Sequence, residues 1–131
     1  MNVVQSEANK RILIIDDDTL TSDMYMYALS HAGYTVDIVT SGREGQIELN
    51  SGKYDLVLLD LMLPDLNGCK ILAKWRQTRP LHTRPNIIVL TNCDQEESSR
   101  KLLEKAADAY AVKASTTPRK LLKLIASILD K

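Results

Sequence analysis

The sequence predicts a single α/β domain with a doubly wound, five-stranded parallel sheet and helices on both faces. Five short runs rich in β-branched residues and leucine alternate with segments whose apolar residues have helical spacing. The runs Ile12–Ile15, Leu56–Leu59 and Ile87–Leu90 are apolar throughout, which is typical of strands covered on both faces. Because 131 residues suit one ordinary domain, we assign residues 10–131 to it and expect residues 1–9 to be a loose tail.

The first two strands and the helix between them are clear from the sequence pattern. The strands are predicted at Arg11–Ile15 and Thr35–Val39. Between them, Leu20 and Met24 begin a series of apolar residues with helical spacing. Gly33 follows that helix, in the position where glycine commonly ends one.

The rest of the chain repeats the same alternation. Ser41 and Glu44 have the spacing of a capping box at the start of the second helix, which Gly52 closes. Pro118 suits the first turn of the last helix. The three remaining strands are predicted at Asp55–Leu59, Asn86–Leu90 and Ala109–Val112.

Charge and composition narrow the class of protein. The chain has 17 basic and 17 acidic residues, so it lacks the broad positive field on which nonspecific nucleic-acid binding depends. It contains neither a signal-like apolar segment nor an apolar run of membrane-spanning length, which predicts a soluble cytoplasmic protein. Cys69 and Cys93 lack the spacing of metal ligands and are expected to be free thiols.

Polar residues follow the predicted strands at the edge where such sheets carry function. The first strand runs into three acids, Asp16–Asp18, and the third ends on Asp60. The fourth strand runs into Thr91 and the fifth into Lys113. Because the carboxyl ends of parallel strands meet at one edge, we expect these side chains to converge.

This set of side chains suits phosphoryl transfer assisted by a metal ion. Converging carboxylates repel unless a cation offsets their charge, and Mg²⁺ prefers carboxylate, water and phosphate oxygens. Asp60 could then be the nucleophile, with Asp16 and Asp17 holding the metal. Thr91 and Lys113 would bind the transferred group.

Each of these residues also has a structural interpretation. Acids and threonines at strand ends commonly cap helices, so Asp18 could cap the first helix and Thr91 the fourth. Lys113 could be an exposed lysine at the end of a strand. The functional interpretation is favoured because the four strand ends carry different and mutually compatible roles.

Four motifs resemble those of the response-regulator receiver family of bacterial two-component systems, over roughly residues 10 to 130. The motifs are Ile14–Asp18, Leu58–Gly68, Leu90–Thr91 and Tyr110–Lys113. The resemblance implies a flavodoxin-like strand order. It also implies that Asp60 is the phosphoacceptor.

The resemblance further assigns the ligands of Mg²⁺ and the switch residues. Asp16 and Asp17 would bind Mg²⁺ together with Asp60 and the main-chain carbonyl of Met62. The phosphoryl group would contact Thr91 and Lys113. Tyr110 falls where the family carries an aromatic residue that swings inward when the threonine is drawn towards the phosphate. The alternative is a half-exposed strand tyrosine.

Three residues depart from the family pattern. Ala114 stands where proline usually follows the lysine, commonly on a cis peptide bond. Ala106 replaces the glycine that commonly ends the fourth helix, and Asn92 replaces a small residue after the threonine. The sequence therefore leaves the geometry of the loop after Lys113 and the strength of the switch undetermined.

The charged surfaces and the loop before the fourth strand allow two interpretations. The fifth helix opens with basic Pro118–Lys120 and continues with Lys123, while the fourth opens with acidic Gln95–Glu97. These faces are either solvated or, together with the fifth strand, a docking surface for an output protein or a second copy. A further basic stretch surrounds two prolines and consists of Arg76, Arg79, His82 and Arg84. Trp75 before it is expected in the core.

Three functions compete. The favoured one is a phosphorylation switch in a phosphorelay. It would take its phosphoryl group from a histidine kinase or a histidine phosphotransfer protein, and its only chemistry would be transfer onto Asp60 and autodephosphorylation. A haloacid dehalogenase-type phosphohydrolase uses similar groups, but its signature requires threonine or valine where this chain has Leu20. A phosphorylation-independent interaction module would be expected to have lost site residues.

Overall fold

A computed structural model describes residues 10–80, 83–92 and 97–130. The strands are β1 Arg11–Ile15, β2 Thr35–Val39, β3 Leu56–Asp60, β4 Asn86–Thr91 and β5 Ala109–Val112. The helices are α1 Thr19–His31, α2 Gly42–Leu49, α3 Gly68–Gln77, α4 Glu97–Ala106 and α5 Pro118–Leu129, with a 3₁₀ turn at Lys113–Ser115. The expected tail 1–9, His82, the Cys93 thiol, Gln95 and Glu96 lie outside the described residues.

The strands form one parallel sheet in the order β2-β1-β3-β4-β5, which confirms the doubly wound, flavodoxin-like prediction. The third strand lies one residue later than predicted, since Asp55 precedes it and Asp60 is its last residue. The Asp55 carboxylate accepts a hydrogen bond from the Arg11 N–H (2.8 Å). Ile15 pairs with both Val39 and Leu59. This register brings the carboxyl ends of the strands to one edge.

Each face of the sheet has its own hydrophobic core. Ile12 and Ile14 of β1 pack with residues of α1 and α5, whereas Leu13 and Ile15 pack with residues of α2, α3 and α4. Side chains alternate between faces along a strand, so an apolar run fills both cores. Trp75 is buried in the second core, as predicted. No helix in the described part of the chain is both long and apolar enough to span a membrane.

The helix boundaries follow the predicted signals. Ser41 Oγ accepts a hydrogen bond from the Glu44 N–H (3.1 Å) and caps α2. Gly33 and Gly52 follow α1 and α2 with φ of 102° and 78°, a region where a Cβ is disfavoured. Pro118 lies in the first turn of α5.

The apolar residues that predicted α1 are not the ones it buries. Leu20 is 83% exposed and Met24 is 47% exposed. The helix instead buries Ser22, Tyr25 and Leu29, which are also spaced for one face of a helix. The existence of α1 was therefore predicted correctly, but not the face that packs on the sheet.

The three described arginines of the basic stretch near the prolines each contact another group of the protein. Arg76 belongs to α3, and its Nε donates to the carbonyl of Ala106 (2.8 Å). The guanidinium of Arg79 lies 3.7 Å from the centre of the Trp75 ring. Arg84 forms an ion pair with an aspartate before β3 (3.3 Å). Arg76 and Arg84 thus join elements that are distant in sequence, and Arg76 binds the carbonyl of Ala106 at the end of α4.

Gly68 lies where the backbone of α3 meets the end of β3, so we expect Gly68→Ala to destabilise the domain. A Cβ at this position would lie 2.5 Å from the Asp60 carbonyl oxygen and 2.6 Å from the Leu61 Cα. We expect a loss of about 1–3 kcal/mol in the free energy of unfolding, because overpacking against the backbone outweighs the better helix propensity of alanine. Urea unfolding measures it. Cys69→Ala, at the neighbouring exposed position, is the control, and equal stability of the two variants would contradict the prediction.

Candidate functional site

The structure brings three acids together at the carboxyl edge of the sheet. Asp16 and Asp17 follow β1, and Asp60 is the last residue of β3. One carboxylate oxygen from each lies within 4.8 Å of the other two. Asp16 and Asp60 are only 1% and 2% exposed, while Asp17 is exposed. The group thus has a buried floor and one side open to solvent.

Lys113 reaches this cluster from the end of β5. Its Nζ lies 2.6 Å from Asp16 Oδ2 and 3.5 Å from Asp60 Oδ2. The side chain is 8% exposed, so Lys113 is not the solvated strand-end lysine of the structural interpretation. A buried ammonium between two buried carboxylates is also placed to bind an anionic group attached to either acid.

The cluster holds more negative than positive charge, and its ionisable groups respond to burial and to one another. Burial raises the pKa of Asp60 to about 6; the Met62 N–H opposes this shift and the Asp16 carboxylate adds to it. Burial by itself would lower the pKa of Lys113, but the Asp16 and Asp60 carboxylates raise it above its ordinary value. Three carboxylates facing one ammonium favour the uptake of a cation.

Asp18 has the capping role that the structural interpretation gave it. Its Oδ1 accepts from the Thr21 N–H (3.2 Å) and its Oδ2 from the Thr21 hydroxyl (2.6 Å). These hydrogen bonds hold the pKa of Asp18 below its ordinary value. The Asp18 N–H in turn donates to Asp16 Oδ1 (2.9 Å), so the cap of α1 also orients an acid of the cluster.

The loop after β3 passes beside the acids and is anchored to α2. The Met62 N–H donates to Asp60 Oδ1 (3.1 Å), and the Met62 side chain is exposed. Farther along, the Asp65 carboxylate accepts from the N–H groups of Gly42 (2.7 Å) and Arg43 (3.0 Å). Sequence reasoning missed this second cap on α2, because the partners lie more than 20 positions apart and only the fold brings them together.

Thr91 and Tyr110 lie on neighbouring strands near the cluster. Thr91 is the last residue of β4 and is fully buried. Tyr110, in β5, pairs with Val89 and is partly buried against the core beneath α4. Asn92, the departure after the threonine, is exposed. Thr91 therefore ends the strand next to β3, which Asp60 ends, and Tyr110 lies on the strand that runs into Lys113.

The segment after β5 forms a compact turn without proline. Lys113, Ala114 and Ser115 make the 3₁₀ turn, and the Thr116 hydroxyl donates to the carbonyl of Val112 (2.7 Å). Within the described residues the cis peptide bond is Arg84–Pro85, and the bond before Ala114 is not cis.

Comparison with protein families matches residues 12–126 to the response regulator receiver domain. The transcriptional regulatory protein QseB of Haemophilus influenzae is 38% identical over 103 residues, which cover 79% of this chain and 45% of that protein. The phosphate regulon transcriptional regulatory protein PhoB of Rhizobium meliloti is 33% identical over 118 residues, covering 90% and 52%. The chain spans about half the length of these curated relatives.

Solved structures give the same result. A CheY-like receiver domain protein from Methanospirillum hungatei has a TM-score of 0.80 and 37% identity, with 92% of this chain and 94% of that chain covered. The response regulator TrrA from Thermotoga maritima, in complex with Mg²⁺ and beryllofluoride, has a TM-score of 0.78 and 31% identity, with coverage of 92% and 100%. None of these comparisons supports a haloacid dehalogenase-type phosphohydrolase.

The parallel sheet, the order of its strands and the family match over 12–126 agree with one another. This chain belongs to the response regulator receiver domain family of two-component signal transduction systems.

Proposed function

We propose that Asp60 accepts a phosphoryl group from a phosphohistidine donor in a reaction that requires Mg²⁺. The observation that carries this proposal is the group of three carboxylates with Lys113 on its buried side. One Asp60 oxygen would form a bond to phosphorus as the bond from phosphorus to the donor nitrogen breaks. Asp60 lies 3.5 Å from the Lys113 ammonium and accepts a hydrogen bond from the Met62 N–H.

Asp16, Asp17, Asp60 and the Met62 carbonyl would hold the metal. The donor set fits Mg²⁺, because it consists of carboxylate and carbonyl oxygens and Mg²⁺ prefers hard oxygen ligands. When bound, Mg²⁺ would add positive charge next to the oxygens of the phosphoryl group. Asp17 is exposed and could move to meet the ion, whereas Asp16 is fixed by the Asp18 N–H.

Lys113 and Thr91 would bind the phosphoryl oxygens, and Tyr110 would report the change to the surface. The Lys113 ammonium lies between the two buried acids, so a modest shift would bring it to an anionic group on Asp60. Inward movement of the Thr91 hydroxyl would leave space for the Tyr110 ring. The affected surface would be formed by α4, β5 and α5.

The donor would be a histidine kinase or a histidine phosphotransfer protein, and the receiver would control an output. QseB and PhoB are named as transcriptional regulators, and this chain spans about half their length. We propose that the α4–β5–α5 surface contacts the output, either a protein partner or a second copy of the receiver. The domain would act in the cytoplasm and would turn over only its own phosphoryl group.

Mg²⁺ should bind the free domain weakly and need the exposed carboxylate. We expect Asp17→Asn to raise the dissociation constant about tenfold or more, because the cluster loses one of three charged ligands. Asp23→Asn, an exposed aspartate of α1, should leave it unchanged. Amide chemical shifts followed during an Mg²⁺ titration measure both constants.

The pH dependence of that affinity has a defined sign. Since burial raises the pKa of Asp60 to about 6, protons compete with the metal below this pH, and the apparent affinity should fall as the pH is lowered through 6. For the titration of Asp17→Asn, an affinity equal to that of the unaltered protein, or shifts spread evenly over the chain, would contradict the assignment of the metal site to the three acids.

Acetyl phosphate should label Asp60 when Mg²⁺ is present and fail to do so when the metal is chelated. Asp60→Asn should abolish labelling, because it removes the nucleophile while keeping the shape of the side chain. Asp23→Asn is again the control and should be labelled at the normal rate. Intact-mass spectrometry detects the adduct. The same adduct on Asp60→Asn would show that another residue is phosphorylated.

Beryllofluoride with Mg²⁺ mimics the phosphoryl group, so its binding tests whether a change at Asp60 reaches the surface near Tyr110. Amide resonances of α4, β5 and α5 should shift as well as those at the acid cluster, because these elements form the surface to which Tyr110 would report the change. In Thr91→Ala the cluster should still respond, whereas the shifts around Tyr110 should be reduced, since the hydroxyl that is drawn inward is gone. Unreduced shifts in Thr91→Ala would argue that the signal takes another route.

A further inference from the structure

The turn that carries Lys113 has little support of its own. It leaves β5, an edge strand of four partly buried residues that pairs on one side with β4. Within the turn, the Thr116 N–H donates to the Lys113 carbonyl (3.2 Å) and the Thr116 hydroxyl to the Val112 carbonyl (2.7 Å). Ala114, unlike proline, does not restrict the backbone φ. These bonds, together with one from Lys120 Nζ to the Ser115 carbonyl (3.3 Å), join the turn to itself and to the start of α5, but not to an element that precedes it in the chain.

Tyr25 of α1 supplies such an attachment. Its hydroxyl donates to the Thr116 carbonyl (2.9 Å), across 91 positions of sequence. The ring is 1% exposed and lies in the core formed by β1, α1 and α5, so its position is well determined. Burial raises the pKa of Tyr25, and the charges of Lys113 and Asp16 also act on it, which agrees with a hydroxyl close to the cluster.

The distances show why this attachment matters. Lys113 Nζ contacts Asp16 Oδ2 at 2.6 Å but Asp60 Oδ2 at 3.5 Å, so the ammonium is held nearer the metal-binding acid than the phosphoacceptor. A displaced turn could keep the first contact and lose the second. Placement of the backbone at 113–116 therefore decides whether the ammonium reaches a group on Asp60.

We propose that Tyr25 is a positioning residue for Lys113: its hydrogen bond to the Thr116 carbonyl holds the turn so that the ammonium reaches the phosphoryl group on Asp60. Tyr25 touches neither the acids nor the transferred group in this role. The inference rests on the proposed function, since it concerns how Lys113 serves phosphorylation of Asp60.

The test compares Tyr25→Phe with Tyr54→Phe. Tyr54 is also buried, and its hydroxyl donates to the Asp37 carboxylate (2.7 Å), but it precedes β3 at the amino end of the strand that Asp60 ends. We expect Tyr25→Phe to slow labelling by acetyl phosphate at saturating Mg²⁺ about two- to tenfold, the range that one hydrogen bond gives. The Mg²⁺ affinity should stay within about twofold of the unaltered protein, since a hydrogen bond that does not touch the ligands has little effect on it. Tyr54→Phe should change neither quantity.

A double-mutant cycle separates positioning from a general loss of stability. The affinity for beryllofluoride with Mg²⁺ is measured for the unaltered protein, Tyr25→Phe, Lys113→Ala and the double variant. If Tyr25 acts through Lys113, the Tyr25→Phe effect disappears in the Lys113→Ala background. An undiminished effect there, a normal labelling rate for Tyr25→Phe, or a parallel loss of Mg²⁺ affinity would overturn the inference. Failure of the unaltered protein to label at Asp60 would instead overturn the proposed function.

Discussion

The site depends on keeping two buried carboxylates and one ammonium in contact where water has little access. Removing an ion from water costs several kcal/mol unless partners compensate, and the like charges of Asp16 and Asp60 add repulsion. Each acid accordingly has a backbone donor, from Asp18 and Met62 respectively, and both contact Lys113. The compensation is incomplete, because three acids face one ammonium. This deficit of positive charge favours the uptake of a cation at the cluster.

The loops at the carboxyl edge of the sheet are fastened by hydrogen bonds to neighbouring helices. Asp65 fastens the loop after β3 to the first N–H groups of α2, and Tyr25 fastens the turn after β5 to α1. Asp18 joins the cap of α1 to Asp16. Helices on both faces of the sheet thus help to fix the geometry of its carboxyl edge.

Two sequence interpretations were incomplete for reasons that lie in tertiary packing. The apolar spacing of Leu20 and Met24 marked a helix, but the face buried against the sheet carries Ser22 and Tyr25. Tyr25 can be buried because its hydroxyl finds the Thr116 carbonyl, a partner that no local pattern announces. The sequence likewise showed the arginines around the prolines only as a basic stretch, and the structure adds the partners of their guanidinium groups: backbone carbonyls, an aromatic ring and an acid.

The sequence by itself determined the alternation of strands and helices, the parallel sheet and the identity of the groups at its carboxyl edge. These features follow from local periodicity and from the rule that parallel strands end together, which brings Asp16, Asp60 and Lys113 to one place. Only the tertiary structure decided which acid is exposed, that Lys113 reaches both buried acids, and that Asp65 and Tyr25 anchor the surrounding loops. Burial, and hydrogen bonds between residues distant in sequence, arise when elements pack, so no local pattern encodes them.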